Sequence, residues 1–177
     1  MLPTVPRSPT RAGFSAAVGL IAFSLTSCGG SDFHPVYPVT GRILVDSQPA
    51  AECLIYFNRT FDDNHPRRVT PYALTDANGN FKVTSYITDD GCPEGEYVVT
   101  IEWRERSGLM NNNFEGIDRL DGTYAKVEAN KARPGFVVKV GRQPLELPPF
   151  ELAQSAEAKR KHEEWKKRPR AVFGGGG

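Results

Sequence analysis

The stretch Gly91-Cys92-Pro93-Glu94-Gly95-Glu96-Tyr97-Val98-Val99-Thr100-Ile101-Glu102-Trp103 sets the class of fold. Tyr97, Val99, Ile101 and Trp103 alternate with Glu96, Val98, Thr100 and Glu102, and a period of two is the side-chain period of a strand. The preceding Asp89-Asp90-Gly91 and Pro93-Glu94-Gly95 supply turn-forming residues, so the strand has a defined start. The same pattern recurs on both sides. Upstream, Val39, Gly41, Ile43 and Val45 alternate with Thr40, Arg42, Leu44 and Asp46, and Ser47-Gln48-Pro49 turns the chain into a second strand on Ala51, Cys53, Ile55 and Phe57. Tyr72 to Thr75 forms a third, and Asp76-Ala77-Asn78-Gly79-Asn80 predicts a hairpin from it onto Phe81 to Ile87, because Asn and Gly accept the positive φ that tight hairpins require. Downstream, Arg104 to Pro134 reads as one long irregular connection, well beyond the ~12–15 residues usual for a structureless loop. Strands at Phe136 to Val140 and Leu147 to Leu152 close the set. Seven short strands punctuated by Gly, Pro, Asn and Asp predict an all-β, seven-stranded antiparallel two-sheet sandwich.

The ends of the chain differ from this body. Residues 1–27 hold no acidic residue, carry Arg7 and Arg11, and run apolar from Ala12 to Leu25. That is the composition of a signal peptide, and the apolar run falls short of the roughly 20 residues a spanning helix needs. At the other end, residues 153–177 are Ala-rich and charged. Glu157/Lys161, Glu163/Lys167 and Glu164/Arg168 sit at the favourable i,i+4 spacing. Trp165 is the only large apolar residue before Pro169, so the segment predicts a solvated polar helix that projects from the sandwich. From Cys28 to Leu152 there are 13 basic and 18 acidic residues, and beyond Leu152 there are 7 basic and 3 acidic. An acidic body therefore carries a basic tail, whose expected role is electrostatic contact with anionic surfaces or with the body itself. With 39% hydrophobic and 24% charged residues in 177, the chain can bury one moderate core and is neither disordered nor multispanning by composition. A net charge of +1 gives no case for a nucleic-acid partner.

Two resemblances follow from these residues. Leu25-Thr26-Ser27-Cys28 resembles the bacterial lipobox, which implies diacylglycerol on Cys28 and a short lipidated tether over residues 28–35, begun by the flexible Gly29-Gly30-Ser31. Such an anchor holds firmly because each buried methylene contributes about 0.8 kcal/mol. Residues 36–152 resemble the carboxypeptidase-regulatory-like, or transthyretin-like, domain of bacterial lipoproteins. The similarity runs through Pro38-Val-Thr-Gly-Arg-Ile43, Gln48-Pro-Ala50, Thr75-Asp-Ala-Asn-Gly-Asn-Phe81 and Asp90-Gly-Cys-Pro-Glu-Gly-Glu-Tyr-Val-Val-Thr-Ile101, and continues in Leu120-Asp-Gly-Thr-Tyr124, Val137-Val-Lys-Val-Gly141 and Phe150-Glu-Leu152. Departures from the pattern are Cys53, Cys92, Met110 to Asn113 and the charged tail. The resemblance implies a non-catalytic module at a cell membrane or outer membrane, on the periplasmic or exterior face, with an envelope protein or polysaccharide as partner and no cofactor.

The search for chemistry agrees with that expectation. His34, His65 and His162 lie in the tether, a loop and the tail, and no His-x-x-Glu or H-E-x-x-H spacing, phosphate loop or dinucleotide fingerprint occurs. Asp76, Asn78 and Asn80 are spaced like the opening of a calcium loop, but Gly79 is misplaced and Ile87 stands where the closing glutamate belongs. Asp62-Asp63-Asn64 and Asp89-Asp90 read as solvated loop charges, and Trp103 as core. Cys53, in an apolar alternation, and Cys92, in a turn, read as separate thiols, although spacing does not fix pairing. Tyr56, Tyr86 and Tyr124 remain as candidate ligand contacts, since an outward aromatic row can stack on a sugar ring.

Overall fold

The computed structural model describes residues 33–61, 67–105 and 116–167. The chain divides into residues 1–30 and 31–177, and the fold is that of the second part. The signal segment, Cys28, Asp62 to Asn64, His65 and Met110 to Asn113 lie outside the described residues. Among those described, no helix is long and apolar enough to cross a membrane.

Eleven short strands and two helices follow in order: β1 Val36–Tyr37, β2 Val39–Val45, β3 Gln48–Pro49, β4 Leu54–Arg59, β5 Tyr72–Leu74, β6 Asn80–Lys82, β7 Cys92–Pro93, β8 Gly95–Glu102, α1 Val127–Lys131, β9 Val137–Val140, β10 Leu145–Glu146, β11 Phe150–Leu152 and α2 Ala156–Lys166. One sheet is antiparallel in the order β5-β4-β8-β9; a second is built around β2; β1 and β7 make a small third. Alternation places Ile55, Phe57 and Ala73 on the inner face of the first sheet, and Val39, Ile43 and Val45 on the inner face of the second. These residues join in a single buried cluster. Phe150 joins two other rings in it, with Phe136 edge-on at 5.2 Å and Phe81 at 6.4 Å between ring centroids. Gly41 is the small residue that admits Phe81: a Cβ there would fall 2.6 Å from the ring, too close without repacking of the core.

The molecule is thus all-β-like and sandwich-like, but it is not the seven-stranded, wholly antiparallel two-sheet sandwich of the sequence reading. Three local causes account for the difference. Pro148 and Pro149 lack amide protons, so the strand expected over Leu147 to Leu152 shortens to β11, and a separate two-residue strand, β10, forms ahead of it. Both pair with β2 in parallel, Leu145 opposite Val39 and Phe150 opposite Ile43. The expected strand over Phe81 to Ile87 stops at Lys82, because the Asp90 carboxylate accepts the amides of Ser85 (2.7 Å), Tyr86 (3.0 Å) and Ile87 (2.9 Å) and curls that backbone into a turn. The Asp76 to Asn80 turn forms, with the Asp76 carboxylate accepting the amides of Asn78 and Asn80 at 2.8 Å each. Yet β5 pairs with β4 while β6 pairs with β2. The turn therefore carries the chain from one sheet to the other, and a single bridge, Tyr72 with Thr84, is the remnant of the expected hairpin.

The connection from Arg104 to Pro134 is also more regular than the sequence reading made it. Asp118 organises its described part by accepting the amides of Trp103 (2.9 Å), Leu120 (3.0 Å) and Gly122 (2.8 Å). The chain then runs along the edge of β8, the Ile101 amide donating to Tyr124 and the Val99 amide to Phe136. Helix α1 fills the interval. Its fully buried Asn130 donates from Nδ2 to the carbonyls of Val99 (2.9 Å) and Tyr124 (2.8 Å), tying this excursion to the central strand.

Helix α2 docks on the body instead of projecting from it. Ser155 caps its N-terminus, accepting the Ala158 amide at 3.0 Å. Ala158 and His162, four residues apart and hence on one face, are buried. His162 Nε2 lies 2.8 Å from Glu105, while Lys159 pairs with Asp46 and Lys161 with Asp121, each at 2.8 Å. A narrow face of small and polar residues suffices because the body supplies acidic partners at matching positions.

Candidate functional site

The three tyrosines singled out from the sequence do not form a row. Tyr124 belongs to the core: its ring stacks on Phe136 at 5.7 Å, Arg133 covers it at 4.8 Å, and its hydroxyl oxygen accepts the Ala153 amide at 3.0 Å. The expectation of an outward Tyr124 fails because the residue lies on the edge path beside β8, where the inner face is already lined by aromatic rings. Tyr86 sits in the Asp90 turn, against Phe33. Tyr56 alone lies on the outer face of the β5-β4-β8-β9 sheet.

There Tyr56 has a partner that the sequence reading passed over. The register of β4 on β5 sets Tyr56 opposite Tyr72 and Leu54 opposite Leu74, and directly opposed side chains share a face. Tyr72 and Leu74 are exposed, as is Val137 on β9, whereas Tyr56 and Leu54 are half-buried. Further across, Asn58 fixes the floor by donating to the Val98 carbonyl (3.0 Å) and the Thr100 hydroxyl (2.9 Å). The result is an outer sheet face with two adjacent phenols and aliphatic neighbours. The alternation of exposed Tyr72 and Leu74 around buried Ala73 is legible in sequence, but its alignment with Tyr56 depends on strand register.

Trp103 is half-buried against the core, as expected of it. Its indole donates to the Ala51 carbonyl at 2.9 Å, and the Arg119 guanidinium lies 3.3 Å from its ring centre. Burial lowers the Arg119 pKa. The covered ring face leaves no stacking platform. Beside it an open cleft of about 460 Å³ lies between the 117–125 turn and α2, with Arg104, Asp121, Lys161 and Trp165 on its walls. A larger open cleft of about 650 Å³ crosses the outer side of β2, β6 and β10. Three of its charges are engaged with one another or with backbone: Arg42 donates to the Asn78 carbonyl at 3.1 Å and Lys82 pairs with Asp89 at 3.7 Å.

Cys53 and Cys92 are both buried free thiols, matching the reading as separate thiols. Burial raises each to a pKa of about 12, which keeps them protonated and unreactive near neutrality. Asp90, read from sequence as a solvated charge, is instead committed to three backbone amides. Among the described residues, no three His, Cys, Asp or Glu side chains converge as a metal site would require.

No protein-family model matches the chain, and no curated protein does. Among solved structures, it is similar to a DUF3823 family protein from Parabacteroides merdae, with 13% identity and a TM-score of 0.31. The similarity covers 70% of this chain and 47% of that protein, so the chain spans about half of that protein's length.

Proposed function

We propose that this chain is a non-catalytic lipoprotein of the cell envelope, anchored through diacylglycerol on Cys28 and presenting a carboxypeptidase-regulatory-like domain as a binding or scaffolding module. The observation that carries the reading is the succession of Leu25-Thr26-Ser27-Cys28, a Gly-Gly-Ser link and a β-rich body. The body supports a binding role because its carboxylates at Asp76, Asp90 and Asp118 are spent on backbone amides, while an outer sheet face offers apolar and phenolic surface. Metabolic labelling with a fatty-acid analogue tests the anchor: the wild type takes up label and Cys28→Ser does not. Equal labelling of both removes the assignment.

A second reading, polysaccharide recognition, is favoured by the Tyr56–Tyr72 pair. Stacking of sugar rings on phenols is a standard use of such a surface. The unlipidated mature chain, screened against envelope polysaccharides and solubilised envelope proteins, separates the two readings. Saturable sugar binding that is lost in Tyr56→Ala and Tyr72→Ala selects the polysaccharide, and sugar-independent capture of a protein selects the scaffold.

A further inference from the structure

The N-terminal end of the sandwich has a tip unlike the rest of the surface. Ile87 is 74% exposed, the most exposed of the large hydrophobic residues described. It is held there, since the Asp90 carboxylate fixes the amides of residues 85, 86 and 87. Tyr86 beside it meets the Phe33 ring edge-on at 4.8 Å, and its hydroxyl accepts the His34 amide at 3.3 Å. Phe33 is itself 44% exposed, and the Arg67 guanidinium stands over its ring at 4.6 Å. An aliphatic side chain, two aromatic rings and a guanidinium at one tip form a surface suited to a bilayer interface, where apolar bodies enter the acyl boundary and polar ends stay wet. Among the described residues, Asp90 is engaged with its amides, Asp89 with Lys82 and Glu94 with Arg142.

The length of chain leading to this tip supplies the occupant. Only five residue steps separate Cys28 from Phe33, so the link reaches at most roughly 17 Å. The eight residues of β8 alone span roughly 26 Å, so the opposite end of the sandwich cannot reach a bilayer in which Cys28 is embedded without the tip lying beside it. We infer that Ile87, Tyr86 and Phe33 form a membrane-docking tip that seats the sandwich on the lipid surface and so fixes its orientation. This rests on the lipid-anchor reading.

The test supplies its own anchor. Because Cys53 and Cys92 are buried, the mature chain can be coupled through Cys28 to a maleimide lipid in phosphatidylethanolamine/phosphatidylglycerol vesicles. Ile87→Trp and Val137→Trp each place an indole at an exposed position, and lipids brominated at shallow acyl carbons quench an indole that inserts. Docking predicts at least about twofold more quenching of the added indole at 87 than at 137, since interfacial insertion reaches 5–10 Å into the headgroup boundary. Equal quenching at the two positions, with native circular dichroism in both variants, overturns the tip. Loss of fatty-acid labelling specificity at Cys28 in cells would sink the anchor reading while leaving the vesicle result intact, so the two failures are distinguishable.

Discussion

Asn130 is one residue on which a long stretch of chain depends. It is fully buried, its Nδ2 serves two carbonyls, and its Oδ1 has no hydrogen-bond partner. Asn130→Ala removes both donors and is expected to cost about 1–3 kcal/mol. Asn130→Asp should be worse at neutral pH, because a carboxylate would face the same carbonyl oxygens. The folded state would favour its neutral form and raise its pKa, so its stability should be retained at low pH and lost as pH rises above about 4. Denaturant titrations of the two variants at pH 4 and pH 7.5 check this, and an Asp variant that is the more stable at pH 7.5 would contradict the geometry. The thiols make a second prediction at this scale. Cys53 and Cys92 are raised by burial from an ordinary 9.0 to about 12, so their stabilising share is whole below pH 9 and is lost as pH climbs toward 12. Tyr97 is shifted upward by burial in the same sense. Stability should fall above pH 9 by up to about 1.4 kcal/mol per pH unit for each thiol. Cys53→Ala and Cys92→Ala should each flatten the slope measured by guanidinium unfolding between pH 8 and 10.5.

Helix α2 shows how an element that reads as solvated acquires a place. Of its expected pairs Glu157 and Lys161 meet at 3.2 Å, while Glu163 pairs with Lys166 instead of Lys167 and Glu164 with Arg160; the expected partner Arg168 lies outside the described residues, and what docks the helix is spread over distant positions. Asp46 follows β2, Glu105 follows β8 and Asp121 lies before α1. Nothing in the spacing of the tail announces those partners, so docking was illegible although the helix itself was not. The same holds for the outer sheet face. Each strand's alternation is visible in sequence, whereas the opposition of Tyr56 and Tyr72 is a matter of register, and Tyr124 looked outward only because its neighbours beside β8 could not be known. The two kinds of contact on α2 should separate with salt. The exposed Lys159–Asp46 and Lys161–Asp121 pairs are screened readily, while the buried His162–Glu105 contact is not. The Asp46 pKa is lowered, chiefly by the Lys159 hydrogen bond and then by the Gln154 amide, so its share of docking is present at neutral pH and fades as pH falls below its ordinary 3.8. Lys159→Ala with Lys161→Ala should mildly raise proteolysis of the tail at low salt and change little at high salt. His162→Ala should release the tail at both, with a cost of about 1–3 kcal/mol for the orphaned partner. Equal tail cleavage in wild type and His162→Ala would show that α2 is not held by its buried face.

For the whole molecule, closure depends on the last strand. β11 pairs with β2 across more than a hundred residues of sequence and brings Phe150 into the core between Phe81 and Phe136. The tail beyond it adds docking without completing the sandwich. A chain ending at Leu152 should therefore unfold cooperatively, though at a lower midpoint than the full chain. One ending at Glu146 should lose the near-ultraviolet circular dichroism of packed aromatics, because Phe81 and Phe136 lose their common partner. Cooperative unfolding of the shorter chain would show that β11 is dispensable. The parallel register of β2 and β11 also bears on how the molecule answers a mechanical load. A pull between the N-terminus and the C-terminus drags these neighbouring strands in opposite directions along their own axes, so their hydrogen bonds are loaded in shear and must yield together, whereas an antiparallel hairpin opens one bond at a time. Under the N-terminal anchor proposed above and a load at the C-terminus, the sandwich would act as a clamp, stiff along the direction of that pull.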